Sequence, residues 1–218
     1  MKTTESTTPR NTGRPLSFDR NAVLRSAMLV FWRHGYEATS LSELTAAMGV
    51  TPPSIYAAFG DKKKLFLETV SLYRSGPVSS DSIIKDAATA RAAASGLLHA
   101  SAMGFTGAGT PRGCLLASSA ISCSAAAADV QGELAAIRRR IEARLKEKIT
   151  RAVKVREMPA STDADALAGH IMAVIQGMST LARDGASRKK LIRIADTAMR
   201  VWPDDWSQQH QDAKTAGL

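Results

Sequence analysis

The stretch that most constrains this chain runs from Ser40 to Phe59, SLSELTAAMGVTPPSIYAAF. It reads as two short helices around a tight turn. Ser40 is placed to N-cap the first, and Glu43 three residues on can reach back to the Ser40 backbone, the reciprocal geometry of a capping box. Leu41, Leu44 and Met48 fall at helical spacing on one face. Gly49 supplies the positive φ that ends a helix at little steric cost, and Val50 anchors the turn in the core. Thr51 is set to N-cap the next helix, with Pro52 at its first position, where a missing N–H removes nothing. Ile55 and Phe59 give that helix its buried side, while Thr51, Ser54 and Tyr56 lie on the other. Small hydroxyls at the start and a phenol one turn in suit a helix entering the DNA major groove N-terminus first.

The flanking segments are consistent with that reading. A helix is expected from Phe18 to His34, with Asp19 as N-cap, Val23, Ala27, Val30 and Phe31 inward, and Gly35 as its stop. Arg20, Arg25 and Arg33 are most simply a solvated face, although Arg20 or Arg25 could touch phosphate. Asp61 is expected to cap a fourth helix that carries Lys62, Lys63 and Lys64 in its first turn. Lysines there oppose the helix dipole, unless a phosphate docks at the free N–H groups. The alternative for Lys63 and Lys64 is a solubilising charge run.

From Arg14 to Tyr73 the chain resembles the DNA-binding domain of the tetracycline-repressor-like (TetR/AcrR) family of transcriptional regulators. The resemblance rests on Gly35 and Tyr36, Thr39 and Ser40, Leu44, Gly49 and Val50, then Ser54, Ile55, Tyr56, Phe59, Asp61, Lys62, Leu65 and Phe66. The chain departs from the family pattern at Ala57 and Ala58, where an aromatic residue and a His are common. Phosphate anchoring is therefore expected to lean on Tyr56, Lys62 and the N-terminal arm. The resemblance implies DNA contacts from Arg14, Thr39, Ser40, Ser42, Thr51, Pro52, Pro53, Ser54, Tyr56 and Lys62. It also implies a homodimer formed through the last two helices, about 163–202, a pseudo-palindromic operator, and a small-molecule effector bound in the C-terminal domain.

Composition agrees with this class. Aromatic residues make up only 5% of the 218-residue chain, and long alternating Val/Ile/Thr runs are absent, so the expected fold is all-α with about nine helices. The formal charge of +9 favours a polyanionic partner, nucleic acid or an acidic membrane surface. Cys114 and Cys123 are too few for a disulfide framework and are not at CxxC spacing. On one continuous helix they would face opposite sides, which disfavours a bridge or a shared metal. A reducing, cytoplasmic setting fits. The N-terminal residues lack an apolar core typical of a signal peptide, and no segment is long and apolar enough for a convincing membrane span.

The expected domains are a flexible basic arm over 1–16, the helix-turn-helix domain over 17–76, an effector-binding and dimerisation domain over 77–203, and a flexible tail over 204–218. Within the arm, Arg10 and Arg14 could enter a minor groove or simply belong to a loose tail. Beyond the Gly76–Asp81 break, Asp81 is a candidate N-cap for Ala-rich helices over 82–104 that carry Ile83, Ile84, Leu97, Leu98 and Met103. The segment 104–113 reads as a loop, and 113–128 as a small-residue helix with Leu115, Leu116 and Ile121 inward. From Asp129 to Met158 runs the longest amphipathic pattern, Val130 to Val153 at steps of three or four. Its opposite, basic face over 138–156 is read as solvated, because Glu142 and Glu147 are interleaved. The competing use of that face is non-specific, architectural DNA binding.

Pro159 breaks this helix, and Thr162 or Asp163 starts the next. Residues 166–182 are apolar or small nearly all round, so burial against several neighbours is expected. Gly169, Ala173 and Gly177 recur every four residues. Ser187 opens the last helix, which ends near Trp202 and Pro203.

No catalytic constellation is visible. His34, His99, His170 and His210 are scattered, and no HExxH, Walker or GxGxxG pattern occurs. The chain is therefore read as a non-enzyme without cofactor or metal. Effector-site candidates are Met103, Phe105, Cys114, His170, Met172 and Met178, for each of which core packing is the competing role. For Cys114, a helix N-terminus and Arg112 would both lower a thiol pKa, against buried packing as the alternative.

Overall fold

A computed structural model of the chain describes residues 18–76, 79–120 and 123–203. Among them are ten α-helices, two short 3-10 turns and no strand. The arm, the tail, Arg10, Arg14, Ile121 and Trp206 lie outside the described residues.

The N-terminal unit contains α1 (Arg20–His34), α2 (Leu41–Met48), α3 (Pro52–Phe59) and α4 (Lys62–Arg74). Asp19 caps α1 by accepting from Asn21 and Ala22. Gly35 follows it at φ 84°, a conformation that favours glycine. Helices α1 and α4 pack together around Phe31 and Phe66, whose rings meet edge to face at 5.0 Å. Leu44 of α2, Ile55 of α3 and Leu65 of α4 are fully buried beside them. The short helices α2 and α3 would be marginal alone, so this shared core holds them.

Ser79, rather than Asp81, caps α5 (Ser80–Asp86), through a reciprocal pairing with Ser82. Asp81 sits in the first turn and its carboxylate takes Arg74 and Arg144. Charge pairing across three segments decides its role, and the local sequence does not reveal that. A break at Ala87–Thr89 precedes α6 (Ala90–Gly104), which Thr89 caps.

The expected helix over 113–128 is also corrected. Among the described residues of that span, α7 (Leu115–Ser118) is the helix that forms before α8, followed by a 3-10 turn at Ala125–Ala127. Seryl hydroxyls compete locally for backbone groups in this Ser-rich stretch; Ser118 Oγ, for example, donates to the Cys114 carbonyl at 2.7 Å. The two cysteines are thus not on one helix, and both thiols are free.

Helix α8 (Ala128–Lys154) packs on α9 (Ala164–Arg183), and α6 packs on α10 (Arg188–Ala198). Asp163 and Ser187 cap the last two. Helix α9 is not buried all round. Leu167, Ala168, Ile171, Met172, Met178 and Ala182 face inward, whereas Ala166, Ala173, Gln176, Gly177 and Thr180 are exposed. One chain supplies neighbours for only one side of this helix.

The two units are joined by several polar contacts. Arg183 donates to the Trp32 and Arg33 carbonyls at 3.2 and 3.0 Å, satisfying the end of α1. The Tyr36 N–H donates to the Ser119 carbonyl at 2.9 Å. Lys63 pairs with Asp129 at the start of α8.

Candidate nucleic-acid interface

The helix-turn-helix forms as the local chemistry requires. Ser40 Oγ accepts from the Glu43 N–H at 3.1 Å, and the Glu43 carboxylate accepts from the Ser40 N–H at 2.7 Å. The Ser40 N–H and hydroxyl, both donating to it, hold the Glu43 carboxyl below its usual range. Gly49 adopts φ 66°, ψ 28°, the left-handed cap. Thr51 has extended backbone geometry at the N-cap of α3, but its hydroxyl does not cap. It pairs with Ser54 Oγ at 2.9 Å. Pro52 and Pro53 lack N–H groups, and the Ser54 N–H already donates to Thr51 at 3.0 Å. The start of α3 therefore offers hydroxyls to a partner rather than free backbone donors.

Thr51, Pro52, Pro53 and Tyr56 are exposed on one side of α3, Ser54 is half-buried, and Ile55 and Phe59 anchor the other side. Tyr56 retains 51% of its surface, one of the few large apolar side chains left in water. Ser40 and Ser42 are exposed at the start of α2, on the approach to this surface. Thr39 is different. It is 1% exposed and its hydroxyl donates to the Gly35 carbonyl at 2.6 Å, so its side chain closes the α1–α2 turn instead of reaching a partner. Burial of a small hydroxyl beside a helix end is invisible in the linear sequence.

The cations around α3 and α4 are already partly engaged. Lys62 Nζ lies 4.8 Å from the centre of the Tyr36 ring and donates to the Glu37 carbonyl at 3.3 Å. Burial pushes its ammonium below the ordinary lysine range, while Glu37 and Glu43 favour the charged form. Asp61 caps α4 by accepting from Lys64 N–H at 2.7 Å. Arg20 is held by both Glu68 oxygens at 2.7 and 2.8 Å and lies over the Phe59 ring, which removes it as a free phosphate ligand. Arg25 remains exposed.

The basic side of α8 is not a continuous free face. Arg138 donates to the Leu116 carbonyl at 2.6 Å, and Lys148 to Ala87 at 2.6 Å. Arg144 pairs with Asp81, and Lys146 with Asp165 at 2.6 Å. These side chains tie α8 to α5, α7 and α9, which the charge pattern alone does not distinguish from solvation.

A cavity of about 250 Å³ lies between the two units. Trp32, Tyr73 and Arg74 of the N-terminal helices form one wall, and Leu97, Phe105, Cys114, Arg138, Ile141 and Met172 contribute to the rest. Of the effector candidates, Phe105, Cys114 and Met172 line it. Met103 points outward and is 48% exposed, and Met178 is buried in the core elsewhere. His170 borders a separate recess beside Pro159, Thr162 and Pro203. Helical phase separates these residues, and only the packing of α6 on α9 shows which side is enclosed. Arg74, Asp81 and Arg138 are lining residues that sequence reasoning missed.

Cys114 is buried, and burial pushes its thiol up despite hydrogen bonds that favour the thiolate. Arg112 does not activate it, since that guanidinium binds the Ala182 and Ala186 carbonyls. Tyr73 Oη lies 3.4 Å from Cys114 Sγ, and the Cys114 N–H donates to Ser179 Oγ at 2.8 Å. Among the described residues no group of three His, Cys, Asp or Glu side chains is placed to hold a metal. No described helix is long and apolar enough to cross a membrane.

Comparison with known proteins matches this architecture. Residues 23–69 match the family profile described as bacterial regulatory proteins, tetR family, and residues 96–213 match tetracyclin repressor-like, C-terminal domain. The Escherichia coli protein HTH-type transcriptional repressor ComR is 35% identical over 197 residues, 89% of this chain and 94% of that protein. A structure of a cysteine-substituted TetR family regulator, CifR, complexed with 26-bp double-strand operator DNA, superposes with a TM-score of 0.82 at 36% identity. It covers 88% of this chain and 100% of that one. A TetR regulator from Rhodococcus sp. RHA1 gives 0.58 at 34% identity, over 85% and 99% of the two chains. Helix-turn-helix geometry, C-terminal helices and sequence identity along nearly the whole length converge, and the chain belongs to the TetR family of bacterial transcriptional regulators.

Proposed function

We propose that this protein is a cytoplasmic repressor that binds a pseudo-palindromic operator as a homodimer and leaves it when a small molecule fills the cavity between its two units. The observation that carries the reading is α3, a short helix packed by Ile55 and Phe59 that leaves Thr51, Ser54 and Tyr56 outward. Pro52 and Pro53 open the helix, Ser40, Ser42 and Lys62 flank it as backbone-positioning groups, and Arg14 belongs to the arm that would follow the adjacent minor groove. The repressor relative from Escherichia coli and the operator complex of CifR support the same assignment.

Two such helices related by a dyad would read half-sites roughly 34 to 36 Å apart, or a multiple of that spacing. The open side of α9, with Ala173, Gly177 and Thr180, supports dimerisation through α9 and α10, because small residues let two helices approach closely. Trp32 and Tyr73 place DNA-binding helices in the cavity wall. A ligand there can bias α1 and α4 between two arrangements, provided that it has unequal affinity for them.

The test is selection of sheared genomic DNA by the purified protein at fixed, near-physiological salt, followed by sequencing. Fragments sharing an inverted repeat are the expected outcome. Broad retention without a shared motif would instead favour an architectural role, which the engaged cations of α8 argue against.

A further inference from the structure

The cavity between the units has an uneven charge balance. Asp81 is the carboxylate in its wall, and it is already shared by Arg74, at 3.3 Å, and Arg144. Arg138 also lines the cavity, and its guanidinium spends one N–H on the Leu116 carbonyl. No acidic side chain among the described residues pairs with it. Two guanidinium groups, Arg74 and Arg138, therefore line this space with one carboxylate, which Arg144 also engages from outside the lining. The neighbouring Cys114 thiol offers them no ready counter-charge, because burial disfavours its thiolate. A partly buried guanidinium with unused donors is an unfavourable arrangement until an anion reaches it. Most of the remaining lining is apolar, with Trp32, Leu97, Phe105, Ile141, Met172 and Ile175, and its uncharged polar members are the hydroxyls of Tyr73, Ser79, Ser80 and Ser101 and the Gln176 amide.

We propose that the cavity takes a small monoanion with an apolar body, a monocarboxylate of short-chain or single-ring size, whose charged end pairs with Arg138. The inference rests on the cavity being the effector site and adds the class of ligand. The volume of about 250 Å³ lies near the lower limit of small-molecule pockets, which restricts the apolar part. A cation would meet Arg74 and Arg138, and a neutral molecule would leave Arg138 without a counter-charge.

Isothermal titration calorimetry of the full chain with hexanoate, 1-hexanol and hexylamine tests this at constant pH and salt. Hexanoate is expected to bind at least about tenfold more tightly than 1-hexanol, the range of one charge-assisted hydrogen bond, and hexylamine least. Arg138→Gln should bring hexanoate down to the level of 1-hexanol, whereas Arg138→Lys should keep the preference. Ala100→Phe, with Ala117→Leu as a second filling variant, should abolish both. Equal affinities, a preference for hexylamine, no saturable binding of hexanoate, or an Arg138→Gln protein that keeps the preference would each overturn the anionic class. Hexanoate binding that survives both filling variants would instead show that the cavity is not the ligand site, and the effector reading would fall separately.

Discussion

The indole N–H of Trp32, in the last turns of α1, donates a 3.1 Å hydrogen bond to the carbonyl of Gly113, just before Cys114. Trp32 is 5% exposed, and its ring meets Tyr73 edge to face at 4.9 Å. The contact joins the helix that supports the helix-turn-helix to the segment that closes the cavity. Trp32→Phe retains most of the apolar contact but leaves the buried Gly113 carbonyl unpaired. A loss of about 1–3 kcal/mol is expected, read as a lower urea midpoint with unchanged slope.

Tyr56 contributes little to the core, since half its surface is exposed. Tyr56→Ala should leave the thermal midpoint nearly unchanged and weaken operator binding by about 1–3 kcal/mol in fluorescence anisotropy at fixed salt. Charge reversal at Arg139 and Arg140, which are exposed on α8, should have much the smaller effect on a sequence-specific operator. The opposite order would point to the α8 face.

Glu43 provides an acid-side test of the capping box. Its native carboxyl is held below the ordinary value of 4.5 by the Ser40 N–H and hydroxyl. A depressed native pKa contributes stability above the unfolded value, and that contribution disappears as pH falls through the native value. Glu43→Gln keeps an acceptor but cannot ionise. The stability gap between parent and variant should therefore be present at pH 7 and close progressively below about pH 4.5, as followed by urea midpoints.

Gly177 distinguishes the isolated subunit from the dimer. A Cβ there meets nothing within 4 Å in one chain, and Gly177→Ala should favour the helix by about 0.5–1 kcal/mol. Gly177→Arg should be tolerated by the fold yet shift the protein toward monomer in sedimentation, with operator binding lost in parallel. A dimer unaffected by Gly177→Arg would exclude the open side of α9 as the interface.

The two thiols should differ in reactivity. Cys114 is buried and Cys123 is partly exposed, although both thiols are raised by desolvation. Titration of the native protein with an aromatic disulfide reagent should show one faster thiol, removed by Cys123→Ser, and a second that reacts only on unfolding. If Cys114→Ser leaves oxidant-dependent release from DNA unchanged, Cys114 is a packing residue.

The helix-turn-helix is legible in the amino-acid order alone, because its signals are local. Ser40 and Glu43 cap each other over three residues, Gly49 supplies a left-handed turn, and Ile55 and Phe59 share a face by spacing alone. The starts of α1, α4, α9 and α10 were legible for the same reason. Which functional candidates come together depends instead on how the helices pack. Thr39 turned inward, Arg20 met Glu68 from α4, Met103 pointed away from the cavity, and Arg74, Asp81 and Arg138 converged on it from three helices. Such contacts depend on how helices cross and rotate against one another. Each sums small packing and charge terms from residues far apart in the chain, so no local spacing records them.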